Sequence, residues 1–300
     1  MMNKWIRAAR LRTLPLTVSG ILAGAGLAYF YGDANWEITF LALITAISIQ
    51  IFSNFANDYG DSCKGVDNAN RIGPLRAVQS GEITPSEMRR GMAVMAIISL
   101  VCGIWLLWET LAGHWAPFFL FLTLGLLALW AAWAYTGGKH PYGYAGLGDI
   151  AVFLFFGILA VVGSFFLIAG RIEPLILLPA SSIGLFSVGV LNLNNMRDAK
   201  NDRVSGKITI PVRLGSRNSR IYHALLIIAG WTLAVIFAAF TANYLWHWLF
   251  LLAAPLFAVD TYKVCTMPTD AGFDPFLKRL SLSTFTFSIL LFAGIWTGNL

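Results

Sequence analysis

Long apolar runs, each close to the roughly 20 residues that cross a bilayer as helix, divide this chain almost from end to end. About nine are present, near residues 14–31, 37–56, 91–109, 115–135, 149–170, 174–195, 222–241, 245–260 and 281–298. Most of each run is apolar on every side, without the two-residue alternation of a barrel strand, so helices are predicted throughout. Composition agrees. Hydrophobic residues make up 57% and charged residues 12% of the sequence, about half the charge of a soluble domain. That excludes soluble and disordered classes. Cys63, Cys102 and Cys265 have no paired spacing, which excludes a zinc ribbon, a redox motif and a disulfide scaffold. The expected architecture is all-α: a polytopic bundle of about nine transmembrane helices, with residues 1–300 forming a single domain.

Alternating the runs across a membrane places all but Arg171 of the 21 lysines and arginines on one side. The positive-inside rule then predicts a cytoplasmic N-terminus and an outer C-terminus, in a cytoplasmic (inner) membrane. A basic start before the first run is also how a signal peptide begins. The length of that run, and the parity that its removal would break, favour a retained helix. The net charge of +6 is that of loops facing anionic lipid and calls for no nucleic acid. Thr84-Pro85-Ser86-Glu87 is a capping box with proline at the first helical position, so a helix is predicted to start there.

Acidic residues are few, and their clustering is informative. Gln50, Asn54, Asp58 and Asp61, at helical spacing, share one face at the end of the second run. Asn194, Asp198 and Asp202 do the same at the end of the sixth, with Asn195 beside them. Both clusters sit at helix C-termini, where the macrodipole disfavours carboxylates. Solvated loop acids with local turn bonding would explain one such cluster. Two, each led by amides inside an apolar span, point instead to a bound cation. The ligands on offer are all oxygen, which suits Mg²⁺, and Mg²⁺ commonly accompanies a phosphate. Lys64, Arg71 and Arg76 follow the first cluster, while Arg197, Arg203 and Lys207 surround the second. Charge bias alone would place each of them there, yet together they suit an anionic ligand. The equivalent placement of the clusters, four helices apart, hints at an internal duplication.

Asn57-Asp58-Tyr59-Gly60-Asp61 through Asp67 resembles the first aspartate motif of the UbiA superfamily of intramembrane prenyltransferases, and Asp198-Ala199-Lys200-Asn201-Asp202 its second. Three further stretches resemble the menaquinone-pathway branch, which prenylates 1,4-dihydroxy-2-naphthoate. They are Arg71-Ile72-Gly73-Pro74-Leu75-Arg76 through Gly81, Pro141-Tyr142-Gly143-Tyr144 through Asp149, and Asn194-Asn195 through Gly215. The resemblance implies a polyprenyl diphosphate donor, a naphthoate acceptor and Mg²⁺ held by Asp58, Asp61, Asp198 and Asp202. Lys64, Arg203 and Lys207 then become candidates for the diphosphate, and Asn54, Asn57, Asn194 and Asn195 for positioning ligands or metal-bound water. Tyr142 and Tyr144 are candidates for flanking an allylic cation, although interfacial anchoring explains either equally well. Arg71 or Arg76 is expected to hold the acceptor carboxylate, and Asp67 and Asp149 to orient the acceptor.

Two rival readings remain. One keeps the family and changes the acceptor, to 4-hydroxybenzoate, homogentisate, or a haem or chlorophyll precursor. The other is a secondary transporter with acidic ion-coupling sites. Transporters place such acids near the bilayer midplane, whereas these lie at the helix ends.

Overall fold

The computed structural model describes residues 4–67, 72–268 and 270–298, and within them it contains helices and no strand. Eight helices are long and apolar enough to cross a membrane: Trp36–Cys63, Pro85–Leu111, Trp115–Ala134, Gly148–Ala169, Pro174–Val204, Ile210–Thr241, Leu245–Thr266 and Asp274–Gly298. A shorter apolar helix, Leu14–Phe30, precedes them and reaches about 25 Å at 1.5 Å per residue. Leu14–Phe30 is called the first span below, and the rest are numbered second to ninth in chain order. Each expected apolar run is therefore a helix.

Several helices outrun their apolar stretch. The second continues to Cys63 and the sixth to Val204, while the third starts at Pro85, the seventh at Ile210 and the ninth at Asp274. Hydropathy registers only the part of a helix immersed in hydrocarbon. The extra turns all lie at the basic end, where polar side chains find partners among themselves. The third span starts as its sequence predicts. The Glu87 amide donates to Thr84 Oγ1 at 3.2 Å, and the Thr84 amide donates to Glu87 Oε2 at 2.7 Å. Two N–H groups that the helix cannot satisfy are thereby capped.

The first span lies inside the bundle, packed on the second, fifth and ninth. Gly20 and Gly24 allow that approach. A Cβ on Gly20 would stand 2.6 Å from the Ala160 Cβ, and one on Gly24 would meet the Ser164 hydroxyl and the Val161 carbonyl. Small residues four apart let helix backbones close to dispersion contact where no hydrophobic effect operates. On the other side, the sixth span meets the seventh, eighth and ninth in a cluster in which the Phe186 ring lies 5.9 Å from Trp231, 4.6 Å from Phe257 and 5.4 Å from Phe287. Between these tightly packed regions the fifth span carries a π-helical stretch, Phe153–Leu159. Such insertions turn side chains off the ordinary helical register and recur at functional sites. Here Phe155, Phe156 and Leu159 line a cavity.

Candidate active site

The acidic clusters of the second and sixth spans come together at one end of the bundle, joined directly where Asn201 Nδ2 donates to the Val66 carbonyl at 2.9 Å. On the second span, Gln50, Asn54, Asp58 and Asp61 are all buried, and each has its own task. Asn54 Nδ2 donates to the Ala9 carbonyl at 2.8 Å and to Thr13 Oγ1 at 3.3 Å. Gln50 Nε2 donates to Asn54 Oδ1 at 3.3 Å. Together they fix the segment leading into the first span, where Arg10 adopts a left-handed φ of 52°. Asp58 receives the Ala77 amide at 3.1 Å and the Val78 amide at 3.4 Å, tying down the turn that follows Arg76.

Asp61 is the centre of the arrangement. Its Oδ1 accepts from the Tyr144 hydroxyl at 2.7 Å and its Oδ2 from Arg76 Nη1 at 2.8 Å. The same Nη1 donates to the Asn57 carbonyl at 2.9 Å, and Arg76 Nε lies 3.2 Å from Asp67 Oδ1. Burial alone would lower the Arg76 pKa, but Asp61, then Asp67, Asp58 and Asp198, outweigh it and hold the guanidinium above its ordinary value. Burial first and Asp61 second push the Tyr144 phenol up, so it remains a proton donor to the carboxylate. Lys64 Nζ and Lys207 Nζ lie 5.5 and 5.6 Å from the centre of the Tyr144 ring, within cation–π range. Lys64 also donates to the Gly138 carbonyl at 2.8 Å, and Lys207 stands 3.8 Å from Asp202 Oδ1.

On the sixth span, Arg197 grips Asp198 with two bonds, Nε to Oδ1 at 2.9 Å and Nη2 to Oδ2 at 2.6 Å. Asp202 Oδ2 and Asn195 Oδ1 are buried, and neither has a hydrogen-bond partner among the described residues. Asp149 accepts from the Tyr222 hydroxyl at 2.8 Å between the fifth and seventh spans, away from the cavity. Arg203 is exposed and donates to the Val212 carbonyl at 2.9 Å, also outside it. Arg71 lies outside the described residues.

The cavity itself, of about 380 Å³, starts at this polar end and runs deep into the bundle. Its mouth holds Arg10, Arg12, Asn54, Asn57, Asp61, Arg76, Asn194 and Lys207, with Tyr135 and Tyr142 beside them. Those two tyrosine rings meet edge to face at 5.4 Å, and burial raises the pKa of both phenols. Beyond the mouth the walls are apolar, from Leu16 and Ile49 to Leu107, Phe121 and Leu167 near the far end. A charged mouth on a long apolar shaft suits an amphiphile with an anionic head.

Residues 17–271 match the UbiA prenyltransferase family. The chain belongs to that family. Among curated prenyltransferases, the 1,4-dihydroxy-2-naphthoate octaprenyltransferase of Escherichia coli (strain K12) is 43% identical over 97% of this chain and 94% of its own. The prenyltransferase fold is shared with a UbiA homolog from Aeropyrum pernix K1, at a TM-score of 0.71 and 15% identity, covering 97% of this chain and 99% of that one. It is shared too with a UbiA homolog from Archaeoglobus fulgidus bound to GPP and Mg²⁺, at a TM-score of 0.64 and 16% identity, covering 98% and 100%.

The donors present suit the hard cation that accompanies GPP in that homolog. They are carboxylate and amide oxygens, two of them buried without a hydrogen to accept. Among the described residues no three acidic, histidine or cysteine side chains converge on one point. Asp58 is engaged by backbone amides and Asp198 by Arg197. Sequence reasoning missed Arg10, Arg12 and Tyr135 at the mouth. The arginines read there as topology signals, and nothing local marks a tyrosine at a span end as facing a cavity.

Proposed function

We propose that this prenyltransferase moves a polyprenyl group from polyprenyl diphosphate to 1,4-dihydroxy-2-naphthoate, releasing diphosphate and CO₂ and giving demethylmenaquinol for menaquinone biosynthesis. The observation that carries this reading is the cavity, with its cationic and acidic mouth opening onto a deep apolar shaft. The curated relative's substrate name supports the acceptor. We further read residues 1–300 as one domain, in a cytoplasmic membrane with the polar end inside.

The prenyl tail lies along the apolar shaft, where its methylenes leave water at about 0.8 kcal/mol each. The diphosphate sits at the mouth, within reach of Arg10, Arg76 and Lys207. Asp58, Asp61, Asp198 and Asp202 are the carboxylates that would hold Mg²⁺, and the ion would neutralise the charge that builds on the leaving diphosphate. The bond between the allylic carbon and the bridging oxygen breaks. Tyr135 and Tyr142 offer the resulting cation their ring faces, and the apolar shaft keeps water from capturing it. The acceptor ring then attacks through the carbon that bears its carboxylate, as the neighbouring hydroxyl gives up its proton. Loss of CO₂ returns the electron pair to the ring, and the oxygen regains a proton. Arg10 and Arg12 line the same mouth as Arg76, and these guanidiniums are the candidates for the acceptor carboxylate.

Purified protein supplied with Mg²⁺, a prenyl diphosphate and a panel of aromatic acids should release diphosphate and CO₂ in equal amounts with the naphthoate. Chelation by EDTA should stop turnover, and added Mg²⁺ should restore it. Preference for 4-hydroxybenzoate, with the carboxylate kept in the product, would overturn the acceptor and leave the family untouched.

A further inference from the structure

Arg197 is 1% exposed, among the largest side chains that the bundle hides completely. It has two anionic partners. One is Asp198, gripped through Nε and Nη2. The other is Asp274 at the start of the ninth span, whose Oδ1 accepts from Nη1. Arg197 Nη2 also donates to Asn194 Oδ1 at 2.9 Å, which fixes the plane of the guanidinium. Asp274 in turn accepts from Arg12 Nη1, at 3.0 and 3.3 Å to its two oxygens. A continuous line of charges, Arg12, Asp274, Arg197 and Asp198, thus ties the segment before the first span and the start of the ninth to the second aspartate motif. Arg12 and Asp274 both fall outside residues 17–271, the part that matches the family.

The physics of this line is a sharing problem. A buried guanidinium is strongly disfavoured without an anion beside it. With Asp198 as its sole partner, Arg197 would resist any turn of that carboxylate toward a cation. A second carboxylate on the far side of the guanidinium removes the resistance, because Arg197 stays paired when Asp198 moves. Asp274 is placed for that task, and Arg12 balances its charge when Arg197 is held elsewhere.

We propose that Arg197 is a positioning residue that aims Asp198, and that Asp274 is the anion that lets Asp198 turn from Arg197 to a bound divalent cation. The inference rests on the reading of Asp198 as a metal ligand given above. An ordinary structural ion pair would change stability when cut. A sharing device changes metal affinity first.

The test uses the full chain in lipid nanodiscs, with Mn²⁺ titrated by electron paramagnetic resonance in the presence of inorganic diphosphate. Asp274→Asn should bind Mn²⁺ about tenfold more weakly, the weight of one charge-assisted contact. Its kcat at saturating Mg²⁺ should stay within about twofold of the parent, and Asp274→Glu should restore the affinity. Arg197→Gln should also bind Mn²⁺ more weakly, because Asp198 is no longer aimed. Unchanged Mn²⁺ affinity in a folded Asp274→Asn protein overturns the proposal. So does an equal loss of affinity and kcat that Asp274→Glu fails to restore. A parent protein that binds no Mn²⁺ at all removes the metal reading itself, a result distinct from failure of the sharing device alone.

Discussion

At the scale of single residues, the two motifs differ in how their carboxylates are held, and the difference sets what each substitution should do. Asp61 accepts from Arg76 and Tyr144 while facing the cavity mouth. Asp61→Asn keeps the volume and removes the charge, and Arg76 remains paired with Asp67. The fold should therefore survive with a loss of about 1–3 kcal/mol, short of the 3–5 kcal/mol expected when a buried charge loses its sole partner. Activity should fall by about two orders of magnitude or more, because charge stabilisation at the leaving group is lost. Tyr144→Phe makes the contrast. It deletes one hydrogen bond to Asp61 and leaves the ring under both lysines, so turnover should drop by about tenfold at most. Diphosphate release and a thermal melt of each variant check the pair. Similar losses in both would mean that Asp61 acts on the reaction only through Tyr144.

At the scale of elements, the helices that carry the motifs illustrate what was legible beforehand. The spacing of Gln50, Asn54, Asp58 and Asp61 predicts one shared face, and all four are buried on the same side of the second span. The capping box at Thr84 was readable for the same reason, since its partners are three residues apart. Interactions that cross the bundle were not legible. Nothing near Asp58 in sequence shows that its carboxylate receives the amides of Ala77 and Val78, or that Arg197 reaches Asp274 in the ninth span. The shaft belongs to this second kind, being built from five or more spans that each look like ordinary membrane helix. Gly125, on the fourth span, faces it, and a Cβ there would meet nothing within 4 Å. It stands nine residues before the end of that helix, Ala134, or about 13 Å below the mouth. Gly125→Trp should block the shaft at that depth. Donors of about two isoprene units should still react, and donors of about eight should lose at least tenfold in kcat/KM, about 1.4 kcal/mol. Equal loss for every chain length would place the tail somewhere else.

At the scale of the whole molecule, basic residues mark one end of the bundle and exposed aromatic residues mark both. The arginines and lysines of the mouth lie at one end. Exposed Trp36, Trp108, Trp115, Tyr244 and Trp246 lie near the other, and exposed Trp130, Trp133 and Tyr262 lie toward the charged one, as aromatic belts do at the two membrane interfaces. The charge bias predicts that the mouth faces the cytoplasm, where a soluble acceptor and Mg²⁺ would reach it. Two exposed cysteines report on that prediction. Cys63 ends the second span and Cys265 lies in the last turn of the eighth, both at the charged end. Leu245, 85% exposed at the start of the eighth span, stands at the opposite end and can carry an introduced thiol. A membrane-impermeant maleimide applied to intact cells should label Leu245→Cys and spare Cys63 and Cys265. The same reagent on inverted vesicles should reverse the pattern. Outside labelling of Cys63 would turn the whole bundle over and carry the proposed active site with it, since Asp61 lies within the same helical turn.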